Sequence, residues 1–423
     1  MAGVPISYDE LIREDRVHGR LYYDPAIFEE EMEKIFHRGW VYVGHASEIP
    51  KPGDFRTKWI GRQPVIMSRD DAGEIHLLMN RCRHRANTVC QEEQGNASFF
   101  RCDYHGWTYS NKGDLVGVTY ARVSGYDEAF RKEELGLSKV PRIGVHRGFI
   151  FGSLSPSGIG FDEYLGAAKN YLDQFVELAP AGEIELQAGV QKSRVKANWK
   201  MQLENLVDHY HTFFVHQSGI VRQTSAGKDQ IEADYVMRDL GGGHTTLDKL
   251  RLQAVAMGPV RRGGDDGTHD PRILEGLKKR LGEERAAEVL RRGPPHIMIF
   301  PNLMVLQNAV RALHPVSVKE TYLHYYPALL KGAPNEVNAR RIKAHQRGHG
   351  PAGSVSADDR EIFMRNQAAL EARVDEWVLL RRALGEERVE PDAWGVPVRT
   401  VNGLGELTQR AIWGHYKKIM TQP

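Results

Sequence analysis

Two short stretches constrain this chain more than any other feature: Cys82-Arg83-His84 and Cys102-Asp103-Tyr104-His105, with seventeen residues between His84 and Cys102. Each offers one thiol and one imidazole from a tight loop, so two such loops at neighbouring strand ends supply four N/S ligands to one place. The surrounding texture suits that arrangement. Short β-like runs such as Val65-Ile66-Met67 and Ile75 to Leu78 are cut by turn signals at Pro52-Gly53-Asp54, Asp70-Asp71-Ala72-Gly73 and Asn111-Lys112-Gly113-Asp114. The pattern predicts a small all-β domain over 38–152.

Four such ligands suit two kinds of centre. A structural zinc site takes Cys₂His₂. A Rieske [2Fe–2S] cluster uses the same side chains, two thiolates on one iron and two imidazoles on the other. Zinc loops usually pair like with like, whereas each loop here mixes one Cys with one His, which favours the Rieske cluster. Histidine ligation lifts the potential of such a cluster to roughly −150 to +300 mV, suited to accepting and holding one electron. Cys90 is not needed as a ligand and reads as a small buried residue. Three cysteines are too few and too clustered for a disulfide framework.

The remainder is expected to form an α+β domain, with 1–37 as its N-terminal helical segment and 153–423 as its body. Pro25 suits the first turn of a helix over Tyr22 to Arg38. Helices are expected around Phe161–Leu178, Ile273–Leu290 and Leu404–Met420, and strands at Ile297–Phe300, Leu303–Val310 and Thr321–Tyr326. A helix from Trp199 to Val215 would put Glu204, Asp208 and His211 on one face at i, i+4 and i+7. His216 would then lie about 140° from His211, so a shared metal requires a bend or a π-type turn between the two histidines. The 423 residues carry 57 Lys+Arg against 55 Asp+Glu, a net charge of +2. That balance offers no polycationic surface for nucleic acid or an anionic membrane. The charged first twenty residues lack the apolar run of a signal peptide, so a cytoplasmic location is expected.

The two segments, in this order, resemble one family. Asn80-Arg81-Cys82-Arg83-His84-Arg85 and Cys102-Asp103-Tyr104-His105-Gly106-Trp107-Thr108-Tyr109 are similar to the cluster-binding loops of Rieske non-haem iron aromatic-ring-hydroxylating oxygenases, large (α) subunit. Asn198-Trp199-Lys200, Glu204-Asn205 and Asp208-x-Tyr210-His211-x₄-His216 are similar to the iron-binding segment of the same family. Gly350-Pro351-Ala352-Gly353, running on to Asp358-Asp359, is similar to the segment that ends in its iron aspartate. One departure is Ala86, where the family more often has glycine.

The resemblance implies a Rieske domain inserted into a helix-grip, START-like catalytic domain with an antiparallel sheet. It implies one [2Fe–2S] cluster on Cys82, His84, Cys102 and His105, and one Fe(2+) on His211, His216 and Asp359. Two histidines and one carboxylate form the facial triad that leaves positions open for dioxygen. Asp208 is implied as the link between His211 and His105 of the next subunit, and Asn205 as a neighbour of the open side of the iron. Trimer-based assembly (α3 or α3β3, with a small β subunit) and electrons from NAD(P)H through a ferredoxin or reductase follow in the same way. The residues also allow Asp358-Asp359 to be a helix cap, one acid capping while the other binds metal. Tyr210 is expected to pack.

The implied activity is dihydroxylation of an aromatic ring with O2. Chain length and the Asp208-x-Tyr210-His211 spacing look closer to members acting on anthranilate-, salicylate-, terephthalate- or benzoate-like carboxylates. Arg222, Arg311 or Gln217 would then meet the carboxylate. Candidate pocket residues include Phe213, Met298, His349 and Phe363. A Rieske monooxygenase would use the same ligands, and a non-redox zinc protein would make the second histidine set coincidental. Gly241-Gly242-Gly243 and the Gly263–Gly267 loop are expected to be mobile, as lids.

Overall fold

The computed structural model describes residues 6–217, 235–248 and 266–422. The chain divides into two compact units, one of Phe36–Gly158 and one of Met1–Ile35 with Ile159–Pro423.

The smaller unit is built from short antiparallel strands. Ile75–Met79, Gln63–Arg69, Asp54–Ile60 and Gln94–Asn96 form a four-stranded sheet in that order, and two three-stranded sheets complete it. The turn chemistry explains the hairpins. Asp70 Oδ1 accepts from the backbone N–H groups of Ala72 and Glu74 at 2.9 Å each, closing the turn after Gln63–Arg69. The buried core includes Phe55, Ile66, Leu78, Phe100, Trp107 and Tyr109, with all three cysteines among them.

The larger unit carries a nine-stranded, wholly antiparallel sheet. Its order is Gln191–Val195, Glu320–Pro327, Ala309–Ser317, Leu303–Leu306, His296–Ile299, Thr245–Asp248, Val236–Asp239, Pro397–Asn402 and Arg388–Pro391. The C-terminal helix Leu407–Met420 packs against its strands Val236–Asp239 and Thr245–Asp248, and Leu407, Ala411, Ile412 and Trp413 of the helix are buried. Trp199 and Trp413 are fully buried, and a side chain of that size in a closed core is worth about 3–5 kcal/mol over alanine.

Several expected elements are interrupted. The helix expected over Ile273–Leu290 is two, Pro271–Leu281 and Glu283–Arg292, separated by Gly282 at φ +83°. The strand expected over Leu303–Val310 turns at Gln307, φ +54°, and returns as Ala309–Ser317. Pro25 does open a helix, Pro25–Glu31, capped by the Asp24 carboxylate, but a π-helical turn, Met32–His37, follows it. Gly241-Gly242-Gly243 is the hairpin turn between Val236–Asp239 and Thr245–Asp248 rather than a lid. Arg222 and Gly263 to Asp265 lie outside the described residues.

Candidate metal centres

In the smaller unit Cys82 and Cys102 are 2 % and 1 % exposed, and none of the three cysteines is in a disulfide. Tyr109 Oη lies 3.2 Å from Cys82 Sγ, and Asn87 Nδ2 donates to Cys102 Sγ at 3.7 Å. Burial raises the Cys102 thiol, but backbone N–H groups of Tyr104 and His105, with Asn87 and Cys82, outweigh it and favour the thiolate. The His84 and His105 rings meet edge to face at 4.6 Å, and His84 stacks on Trp107 at 4.9 Å. His84 Nδ1 is buried with no hydrogen-bond partner, and burial, then the neighbouring His105 and Arg85, keep the ring neutral. Two buried thiols, that of Cys102 drawn toward the thiolate, beside two imidazoles in ring contact are the donor chemistry of a Rieske cluster. Cys90 stands apart. Its neighbours are the Asn80 amide and Glu92, and its thiol is pushed up to about 11 by burial and that carboxylate.

In the larger unit the helix expected from Trp199 to Val215 is broken. Lys200–Leu206 ends at Val207, and a second short helix covers Thr212–Val215. Tertiary bonds fix the break: Val207 O accepts from Thr408 Oγ1 at 2.9 Å, and Glu204 O accepts from Gln409 Nε2 at 3.2 Å. Asp208 then starts the next turn, its Oδ1 accepting from the His211 N–H at 3.3 Å, as a capping carboxylate does. The shared face of Glu204, Asp208 and His211 therefore does not exist. Glu204 turns away and accepts from Tyr22 Oη at 2.7 Å. The bend expected between His211 and His216 comes before His211, while His216, just past Val215, has left helical geometry at φ −101°, ψ 25°.

The break gathers three ligand-type side chains. One atom each of His211, His216 and Asp359 lies within 4.8 Å of the others. Asp359 Oδ1 is 3.1 Å from His216 Nε2 and 3.6 Å from His211 Nε2. Asp359 sits in the first turn of the helix Ser356–Ala369, where unpaired N–H groups favour a carboxylate. Neither Asp358 nor Asp359 caps that helix, whose preceding residue is Val355; Asp358 Oδ2 instead lies 3.6 Å from His216 Nδ1. The His-bearing segment and the Asp359 helix are tied together, because Gln367 Oε1 accepts from the Asn198 N–H at 2.8 Å.

Electrostatics match this geometry. Burial pushes the Asp359 carboxyl up, yet hydrogen bonds from His211 and His216 hold it far below the usual carboxylate range. Burial depresses His211, but Asp208 and Asp359 more than reverse this and raise it to about 9. The pocket thus stabilises positive charge on the His211 imidazole, a demand that a divalent cation on the same three atoms also meets. Asn205 Nδ2 lies 3.2 Å from His211 Nε2 and donates to Asp359 Oδ1 at 3.3 Å. Tyr210 Oη donates to Glu406 at 2.8 Å under the Arg382 guanidinium, so it bonds as well as packs. Sequence reading passed over Asp358 as a histidine partner and His345 altogether. The i, i+4 spacing of His345 and His349 was the available signal.

Comparison with known proteins finds a family match for each of the two segments. Residues 39–127 match the Rieske [2Fe-2S] domain family, and residues 161–390 match the ring hydroxylating alpha subunit (catalytic domain) family. The chain is 32 % identical to 2-halobenzoate 1,2-dioxygenase large subunit of Burkholderia cepacia over 395 residues, 89 % of this chain and 81 % of that protein. It is 32 % identical to anthranilate 1,2-dioxygenase large subunit of Acinetobacter baylyi over 384 residues, 86 % of this chain and 79 % of that one. Naphthalene 1,2-dioxygenase with indole bound superposes with a TM-score of 0.84 at 27 % identity, covering 99 % of this chain and 95 % of that one.

Proposed function

The chain belongs to the ring-hydroxylating dioxygenase α-subunit family, whose members carry a Rieske [2Fe–2S] cluster and a mononuclear iron, and from that premise we propose that it dihydroxylates an aromatic carboxylate. The observation that carries the reading is the convergence of His211, His216 and Asp359 on one point. Two imidazoles and one carboxylate are a ligand set that leaves coordination positions open. Similarity to large subunits named for 2-halobenzoate and anthranilate supports the substrate class.

In this reading Cys82, Cys102, His84 and His105 hold the cluster, and His211, His216 and Asp359 hold the iron. Bound there, the cluster would supply single electrons and the iron a site for dioxygen, for a net reaction in which the arene takes up O2, two electrons and two protons to give a cis-dihydrodiol. The chain's own residues do the rest. Asp208 fixes the His211 backbone and lies 3.6 Å from its Nδ1, so it orients the ring and marks the route toward His105 of a neighbouring subunit. Asn205 steadies the pair His211 and Asp359 from one side. Asp358 Oδ2 faces the outer nitrogen of His216 at 3.6 Å, the side from which second partners of metal-bound imidazoles act. A cytoplasmic α3 or α3β3 assembly, fed by a ferredoxin or reductase from NAD(P)H, completes the proposal; among the described residues no helix is long and apolar enough to cross a membrane.

Turnover of benzoate under ¹⁸O₂ with a supplied reductant tests it. Both oxygens of the diol should carry the label from one O2 molecule. A phenol with a single labelled oxygen would replace dioxygenation by monooxygenation.

A further inference from the structure

Beside the three converging side chains lies a buried guanidinium. Arg311, on the strand Ala309–Ser317, is 3 % exposed, and among the described residues no carboxylate forms an ion pair with it. Its Nε is buried without a hydrogen-bond partner. Two rings hold the guanidinium. Its carbon lies 5.1 Å from the centre of Tyr325, and its Nη2 is 3.2 Å from Nδ1 and 3.3 Å from Nε2 of His349. Near-equal distances to both ring nitrogens place Nη2 over the imidazole face, since an in-plane bond would reach only one of them. Tyr325 and His349 are themselves near parallel, 12° apart in plane. The Nη2 group is thus directed at the imidazole face, while Nε is left without a partner for an acceptor in the guanidinium plane.

The neighbourhood adds no negative charge to spare. His349 Nδ1 is taken by Ser356 Oγ at 2.9 Å, one turn before Asp359 on the same helix. His345, one turn before His349 and 1 % exposed, has both ring nitrogens buried without partners. Burial and the Arg311 charge push it down to about 4, so it is neutral. Arg360 contributes a second positive charge that Arg311 and Tyr325 both feel. Among the described residues the acid whose charge reaches Arg311 is Asp359, already engaged with His211 and His216. An arginine buried in this way is unfavourable unless an anion joins it.

We propose that Arg311, set between Tyr325 and His349 with His345 beside it, is the anchor for the substrate carboxylate. This rests on the aromatic-carboxylate reading above and names the residue that imposes it. A planar carboxylate matches the free edge of a guanidinium through paired charge-assisted hydrogen bonds. The ring attached to that carboxylate would then be held in the neighbourhood of Asp359.

Equilibrium binding without turnover tests the anchor. Benzoate, anthranilate and salicylate are titrated calorimetrically into the intact holoenzyme, each beside its neutral amide. At least one acid should bind, and its preference over the amide should fall by about thirty-fold or more in Arg311→Gln. Arg311→Lys, which keeps the charge without the fork, should fall by less, and it decides the matter if the glutamine variant does not fold. An unchanged acid-to-amide ratio in both variants overturns the anchor and leaves the carboxylate reading standing. Equal loss of acid and amide, together with loss of the mononuclear iron, makes Arg311 structural and overturns it too. A wild type that binds none of the three acids yet oxidises biphenyl removes the carboxylate reading and the anchor together.

Discussion

Ala86 holds a backbone conformation that its side chain disfavours, φ +61°, in the turn where its N–H donates to Cys82 O at 3.0 Å. A Cβ in that region costs roughly 1–2 kcal/mol relative to glycine. Ala86→Gly should therefore raise the stability of the cluster loop by about 1 kcal/mol. The measurement is the urea midpoint for loss of the visible cluster absorbance in the full chain, and an unmoved or lowered midpoint contradicts it. The departure from glycine was readable in the sequence, but its conformation was not, because φ depends on the turn that Cys82 and Asn87 close. Cys90 shows the reverse case. Its surplus to a four-ligand count already made it a core residue, and burial among Phe55, Val89 and Phe100 agrees.

At the scale of elements, the broken helix is supported by a buried polar network. Lys200, 2 % exposed, pairs with Glu31 at 2.5 Å, while Trp199 Nε1 and Tyr416 Oη donate to the same carboxylate at 2.8 Å and 2.7 Å. Desolvation disfavours the Lys200 ammonium and Glu31 counters it. Three separate pieces of chain meet there: Pro25–Glu31, Lys200–Leu206 and Leu407–Met420. Removing one partner strands the other, so Lys200→Met should destabilise the protein by about 3–5 kcal/mol, whereas Lys200→Met with Glu31→Leu should recover much of that. Thermal melting of the single and double variants decides it; a single variant as stable as wild type would show that the pair holds nothing together. Periodicity could place a helix over 199–215 but could not see its break, which Thr408 and Gln409 impose from some two hundred residues away. Likewise the splits at Gly282 and Gln307 follow from single positive-φ residues that a hydrophobic pattern averages over.

At the scale of the whole molecule, function depends on two centres that the sequence announces unequally. The Cys-x-His and Cys-x-x-His loops are local and were legible at once. The iron site was legible only through motif likeness, since His211 and Asp359 are far apart in sequence and no spacing rule joins them. Arg311 was named among three candidates because a carboxylate needs an arginine or polar partner; that no carboxylate among the described residues forms an ion pair with it is a property of the packed chain alone. We propose that Asp208 couples the two centres across neighbouring subunits. Asp208→Asn should leave both metals bound yet slow the oxidation of the reduced cluster in the presence of substrate and O2, as followed by stopped flow. An unaltered rate with both metals present would remove Asp208 from the electron route.

Iron and acid-labile sulfide, counted per chain in wild type and in Asp359→Asn, test the two-centre account most directly. Wild type should hold about three iron and about two sulfide, and the variant should lose about one iron while keeping its sulfide and its Rieske absorbance. Zinc without sulfide in the wild type, or an iron count that Asp359→Asn does not change, would contradict it.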